Sequence, residues 1–126
     1  MGKLEKKVAL ITGAGSGIGK ATAKKFADEG AQVVVQDFNK ASAEEVCANL
    51  TGVGHFAISG DVSNEQDMES VFSEIKKRCE RLDVLVNNAG ISGSPEGLGS
   101  IKYESFMRML EVHMGGTFIC TQAALP

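Results

Sequence analysis

A glycine-rich octapeptide, Thr12-Gly13-Ala14-Gly15-Ser16-Gly17-Ile18-Gly19, joins a short apolar run to an alanine- and lysine-rich stretch. Val8 to Thr12 is apolar at successive positions and bounded by glycine, as a strand buried on both faces of a parallel sheet should be. Ile18 to Asp28 has good helix formers, and Gly30 stands just past it, where a left-handed cap stops a helix. Glycines at such a junction allow positive φ and let a ligand approach the backbone. The helix behind them offers unpaired amides and the positive end of its dipole. The ligand group expected there is an anion.

The same strand, turn and helix order continues along the chain, which predicts an α/β fold. Gln32 to Gln36, with three consecutive valines, reads as the second strand. Ala41 to Leu50 is helical in composition and stopped by Gly52 and Gly54, and His55 to Ser59 is a third, weaker strand. Ser63-Asn64-Glu65-Gln66 has the spacing of a capping box. Behind it Met68, Val71, Phe72, Ile75 and Cys79 form one apolar stripe on a helix. Leu82 to Asn87 reads as the fourth strand, and Gly90 to Ser100, with its glycines and Pro95, as a loop. From Tyr103 helical spacing resumes, with Phe106, Leu110 and Met114 on its apolar side.

Composition narrows the function classes. With 126 residues, 43% hydrophobic and 23% charged, the chain has room for one globular domain over 1–126. Thirteen basic against 16 acidic residues give a net charge of −3, which offers nucleic acid no broad basic surface. The longest apolar run, Val8 to Ile11, is far short of the ~20 residues that span a bilayer. The start, Met1 to Lys7, has no signal-like apolar stretch, and Lys6 stands where a myristoylation site wants Ser or Thr. Cys47, Cys79 and Cys120 lack C-x-x-C spacing, and neither His55 nor His113 lies near enough to one for a zinc site, so no metal is expected. A cytoplasmic, reducing setting fits this cysteine usage best, and Asn49-Leu50-Thr51 is a chance glycosylation tripeptide.

Two nucleotide-binding patterns fail on the glycine loop. Gly19-Lys20 resembles the end of a P-loop, but Ala14 replaces its first glycine and Ala21 its Ser or Thr. The pattern G-x-G-x-x-G fails in every register, because Ile18, Lys20 or Thr22 takes the third glycine's place. Thr12-Gly13-x-x-x-Gly17-x-Gly19 instead resembles the cofactor loop of the short-chain dehydrogenases/reductases. Asp37 at the end of the second strand, Asp61-Val62 after the third, and Asn87-Asn88-Ala89-Gly90 after the fourth are similar to that family's remaining cofactor motifs. All four sites fall at strand C-terminal ends, where the ligand crevice of an open α/β sheet lies.

The resemblance implies a Rossmann-like, doubly wound parallel sheet that breaks off after the fourth strand and the following helix. It assigns cofactor binding to Gly13, Ser16, Gly17, Ile18 and Gly19, with Asp37 on the adenosine ribose. Asp61 and Val62 would lie against the adenine, and Asn88, Ala89 and Gly90 would line the cofactor. Asp37 favours NAD over NADP. At ~4 Å from a 2′-phosphate it would repel by about 4 kcal/mol at an effective dielectric of 20, and even a third of that is roughly tenfold. Ser16 and Phe38 stand where NADP-preferring relatives carry a basic residue, and Lys40 reads as a solvated helix start.

The resemblance also implies hydride transfer between a nicotinamide and an alcohol or carbonyl carbon, with a Tyr-x-x-x-Lys pair handling the proton. Tyr103 is the chain's one tyrosine and Met107 follows four positions later, so that pair is absent and the chain alone is expected to be inactive. His113 takes the place of the family's relay Asn, either relaying a proton itself or serving as a helix histidine bonded to backbone or water. Ser92 and Ser94 fall too early to match the catalytic serine. The fourth strand, apolar on both faces, and the last helix, with Phe106, Leu110, Met114 and Phe118, would both be left uncovered. The expectation is therefore the cofactor-binding half of a longer NAD-dependent oxidoreductase, forming homo-oligomers through the last helix. The alternatives are a non-catalytic dinucleotide-binding or regulatory module, and an interaction protein that completes its sheet with another chain's strand.

Overall fold

The computed structural model describes residues 2–91 and 99–125. The elements run β1 (Val8–Ile11), α1 (Gly17–Asp28), β2 (Gln32–Asp37), α2 (Lys40–Ala48), β3 (Phe56–Ser59), α3 (Glu65–Arg78) and β4 (Val84–Val86). After them come α4 (Tyr103–Leu110), a π-helical turn (Glu111–Gly115) and α5 (Gly116–Ala124). The strands form one sheet in the order β3-β2-β1-β4, and every neighbouring pair is parallel. Leu10 pairs with both Val34 and Leu85, so β1 lies at the centre.

Alternation along the strands divides the core into two layers. Leu10, Val34 and Phe56 pack with Met68, Val71 and Phe72 of α3 and with Cys120 of α5. Ile11, Val33 and Val35 point the other way, onto Ala23 and Ala27 of α1 and Ala43 and Val46 of α2. Helices thus cover both faces of a parallel sheet, the doubly wound arrangement the sequence leads one to expect.

Several local expectations need correction. The capping box does not form on Ser63 and Gln66. Asn64 caps α3 instead, its side chain accepting from Asp67 N at 2.9 Å, while Asp67 reaches back to Asp61 N at 2.9 Å. The cap is displaced by one residue because Ser63 turns toward Asp61. Cys79 is the residue that ends α3, outside the helix, although Met68, Val71, Phe72 and Ile75 are the buried stripe. The last helix is interrupted at Glu111–Gly115, where an extra residue per turn brings Val112 inward. On its other side Phe106, Met114 and Phe118 are 47%, 69% and 63% exposed. Among the described residues β4 pairs only with β1, so the sheet edge and this helix face both lie open. Most of the loop expected over Gly90 to Ser100, with Ser92, Ser94 and Pro95, lies outside the described residues.

Candidate functional site

The loop after β1 is built around two conformational demands. Gly13 and Gly17 have φ of +63° and +56°, in the left-handed region where a side chain is strained. A Cβ on Gly13 would also come within 2.7 Å of Ala89 Cα, so the loops after β1 and β4 touch through that hydrogen. Ser16 precedes α1 without making a side-chain capping bond, and the first intrahelical amide bond runs from Lys20 N to Ser16 O. The amides of Gly17, Ile18 and Gly19 are therefore left without helical partners, as an anion cradle requires.

Buried Thr12 ties the two loops together. Its Oγ1 accepts from Asn88 N and Ala89 N, both at 3.0 Å, and Asn88 Nδ2 donates to Gly13 O at 3.1 Å. On the other side Ala14 N donates to Gln36 O at 2.8 Å, and Gly15 N donates to Asp37 Oδ2 at 2.8 Å. Asp37 Oδ1 accepts from Asn39 N, so this carboxylate shapes the loop as well as facing the crevice.

These contacts enclose a crevice of about 650 Å³ across the strand C-terminal ends. Gly13, Ser16 and Ile18 form one wall, Asp37, Asp61 and Val62 another, and Asn88, Ala89 and Gly90 a third. Gly17 and Gly19 support the cradle from within the loop. A Cβ on Gly19 would collide with Gly13 O, which accounts for glycine there.

Asp61 is heavily engaged by its own protein neighbours. Its Oδ1 accepts from Ser63 N at 2.9 Å and from Ser63 Oγ at 2.6 Å, and its Oδ2 accepts from Arg108 Nη2 at 2.9 Å. Arg108 Nη1 also donates to Ser63 Oγ at 2.7 Å. Partial burial pushes the Asp61 carboxyl up. Hydrogen bonds from Ser63 and Arg108 outweigh this and hold it below the usual carboxylate range. Sequence reasoning missed Arg108, which reaches across 47 residues and has no local signal.

His113 backs this crevice without itself lining it. It lines a separate groove of about 560 Å³ with Met114, Thr117, Phe118 and Leu125. Its Nε2 lies 3.1 Å from Ile91 N and 2.8 Å from Ile91 O, so it engages the backbone of a residue that lines the crevice. A Cβ on Gly90 would collide with the His113 ring. Among the described residues no group of three His, Cys, Asp or Glu side chains could hold a metal ion, and no helix is long and apolar enough to cross a membrane.

A parallel, doubly wound sheet with a glycine cradle at the end of β1 and a carboxylate at the end of β2 defines a Rossmann-like nucleotide-binding architecture. The sequence matches the short chain dehydrogenase family over residues 7–126, and the chain belongs to that family. It is 40% identical to an uncharacterized oxidoreductase, YxbG, of Bacillus subtilis (strain 168), covering 100% of this chain and 47% of that protein. Identity to the meso-2,3-butanediol dehydrogenase of Serratia marcescens is 36%, over 98% of this chain and 49% of the relative. Among solved structures, a 3-ketoacyl-(acyl-carrier-protein) reductase from Brucella melitensis complexed with NADH superposes with a TM-score of 0.93 at 40% identity, covering 98% of this chain and 51% of that one. The chain spans about half the length of the relatives it matches.

Proposed function

We propose that residues 1–126 form the dinucleotide-binding domain of an NAD-dependent oxidoreductase acting on an alcohol or carbonyl substrate. Family membership and the NADH-bound neighbour support a nicotinamide dinucleotide as the cofactor class. The observation that carries the reading furthest is the single crevice shared by Ser16, Asp37, Asp61 and Asn88, which stand at or just past the C-terminal ends of four different strands. In it the amides of residues 17–19 bind the pyrophosphate, Asp37 holds the adenosine ribose, and Val62 packs on the base. When bound, the nicotinamide supplies the hydride chemistry. This chain's own residues bind and orient it.

The preference for NAD over NADP rests on Asp37, whose charge opposes a 2′-phosphate. Calorimetric titration of the 126-residue chain with NAD tests the binding reading: saturable binding of one equivalent supports it, and absence of heat at saturating NAD overturns it. The chain alone is proposed to bind without turnover, because Tyr103 has Met107 where the family's lysine would be. Self-association of two copies through the exposed Met114 and Phe118 face belongs to the same reading, as does a cytoplasmic setting. The first is tested by sedimentation of the native chain against Phe118→Glu.

One observation favours a second reading, a non-catalytic dinucleotide-binding or regulatory module. His113, in the relay Asn's place, is engaged with the Ile91 backbone. NAD binding by the chain, together with no turnover by any longer form that contains it, would select this reading.

A further inference from the structure

His55 stands between the loop after α2 and the first residue of β3, and both of its ring nitrogens are engaged. Nδ1 accepts from Val33 N at 2.9 Å, and Nε2 donates to Thr51 O at 2.6 Å. A backbone N–H only donates and a carbonyl only accepts, so these two partners fix the ring as the neutral tautomer with its proton on Nε2. The register of β2 and β3 explains the first bond. Val34 pairs with Phe56 and Val35 with Ala57, so Val33 faces His55 one step before the ladder begins. Gln32 N donates to Lys7 O on the β1 side, and Val33 N points the opposite way. The imidazole thus supplies the acceptor that a longer β3 would offer from its backbone, and fully buried Val33 keeps a partner for its amide.

Two more bonds hold the same loop. Gln32 Nε2 donates to Gly54 O at 2.7 Å, and Thr51 Oγ1 donates to Asp28 Oδ1 at 2.7 Å. Of these ties, the one through His55 changes with protonation near neutral pH. The charged residues around it come from three directions. Asp28 at the end of α1 is exposed and already takes the Thr51 hydroxyl. Glu45 of α2 meets the loop through its backbone oxygen, at Asn49 Nδ2. Glu5, Lys6 and Lys7 border a neighbouring cleft together with Gln32 and Gly52. Asp28 favours an imidazolium, but water screens an exposed carboxylate. Against it stands the Val33 N–H, in direct contact with the nitrogen that would take the second proton.

We propose that His55 is a proton-operated clasp on the β3 edge of the sheet. Neutral, it binds the loop after α2 to β2; a proton taken from solvent onto Nδ1 sets N–H against N–H and releases Val33. Among the described residues β3 pairs only with β2, and its far end runs into Gly60 and Asp61 of the crevice wall. The clasp stabilises the fold while the ring is neutral, and that contribution is lost as pH falls through the imidazole range. It stands whether or not the crevice takes a dinucleotide.

The test is amide hydrogen exchange at Val33 in the native chain and in His55→Asn, with rates corrected for the intrinsic pH dependence of exchange. Asparagine sets an amide oxygen close to the place of Nδ1 and does not titrate. Protection of Val33 in the native chain is expected to drop about fivefold from about pH 7.5 to about pH 5.5, the worth of one hydrogen bond. In His55→Asn it should stay within about twofold. His113 is present in both chains, so its titration cancels. An equal drop in both chains, or none in the native one, overturns the proposal. Should His55→Asn fail to fold, ¹⁵N spectra of the native chain decide. At about pH 7.5 the His55 ring should carry its proton on Nε2 with Nδ1 bare, and the Val33 amide resonance should move with the same midpoint as the ring. A proton on Nδ1 at that pH, or a Val33 resonance indifferent to the ring, leaves no clasp.

Discussion

Arg108 Nη2 donates to Asp61 Oδ2 at 2.9 Å, fastening α4 to the turn between β3 and α3. The same guanidinium reaches Ser63 Oγ, and Glu111 Oε2 lies 3.6 Å from its Nη1. A side chain on the last helical segment thus fixes the shape of the crevice wall that follows β3.

Loss of that fastening should be measurable. Arg108→Gln is expected to destabilise the chain by about 1 kcal/mol, the figure held down because both side chains are partly exposed and solvent-screened. Urea denaturation compares the midpoints. An unchanged midpoint would show that the pair is incidental.

Acid sensitivity follows from the same site. Because the Asp61 carboxyl is held below its ordinary value of 3.8 in the folded chain, the unfolded chain binds its proton first as pH falls. The stabilisation is therefore present above about pH 4 and lost as pH drops through the lower, folded value. Asp61→Asn should flatten urea midpoints measured between about pH 5 and pH 3 relative to the native chain. Parallel curves for the two proteins would contradict this sign.

The Gly90 and His113 contact makes a coupled prediction. Gly90→Ala places a methyl group against the imidazole and is expected to cost about 1–3 kcal/mol. Most of that cost should vanish in a His113→Ala background, which opens the space. A double-mutant cycle measures the coupling, and simple additivity would show that the collision is relieved elsewhere.

Asp37 has two duties that substitution can separate. Asp37→Asn keeps an acceptor for only one of Gly15 N and Asn39 N while removing the charge, so NADP affinity should rise about tenfold relative to NAD at the cost of one backbone hydrogen bond. Asp37→Ala should also loosen the loop, lowering the melting temperature. Equal NADP:NAD ratios in native and Asn chains would place the carboxylate away from the ribose.

Much of the fold was legible because its signals are local. Three consecutive valines before Gln36 marked the second strand, and Met68, Val71, Phe72 and Ile75 gave the inward stripe of α3. Strand-end motifs marked the crevice through the short-range demands of tight turns. What escaped was decided across the chain. Ser63 has the spacing of a cap, yet its hydroxyl donates to Asp61 and accepts from Arg108, and Asn64 takes the helix end. The π-turn at Glu111–Gly115 left no periodic trace, because one extra residue shifts a helical pattern without erasing it. Gln36, one of two glutamines flanking the valines of β2, is buried because its amide donates to Gly60 O, a partner 24 residues away.

Thr12 gives the crevice a particular mechanical character. One hydroxyl grips the backbone at Asn88 and Ala89 while its own residue begins the glycine loop, so the floor between β1 and β4 is stitched together at a single side chain. Removing that hydroxyl, as in Thr12→Val, would cut both ties at once and leave two backbone amides of the β4 loop without their acceptor.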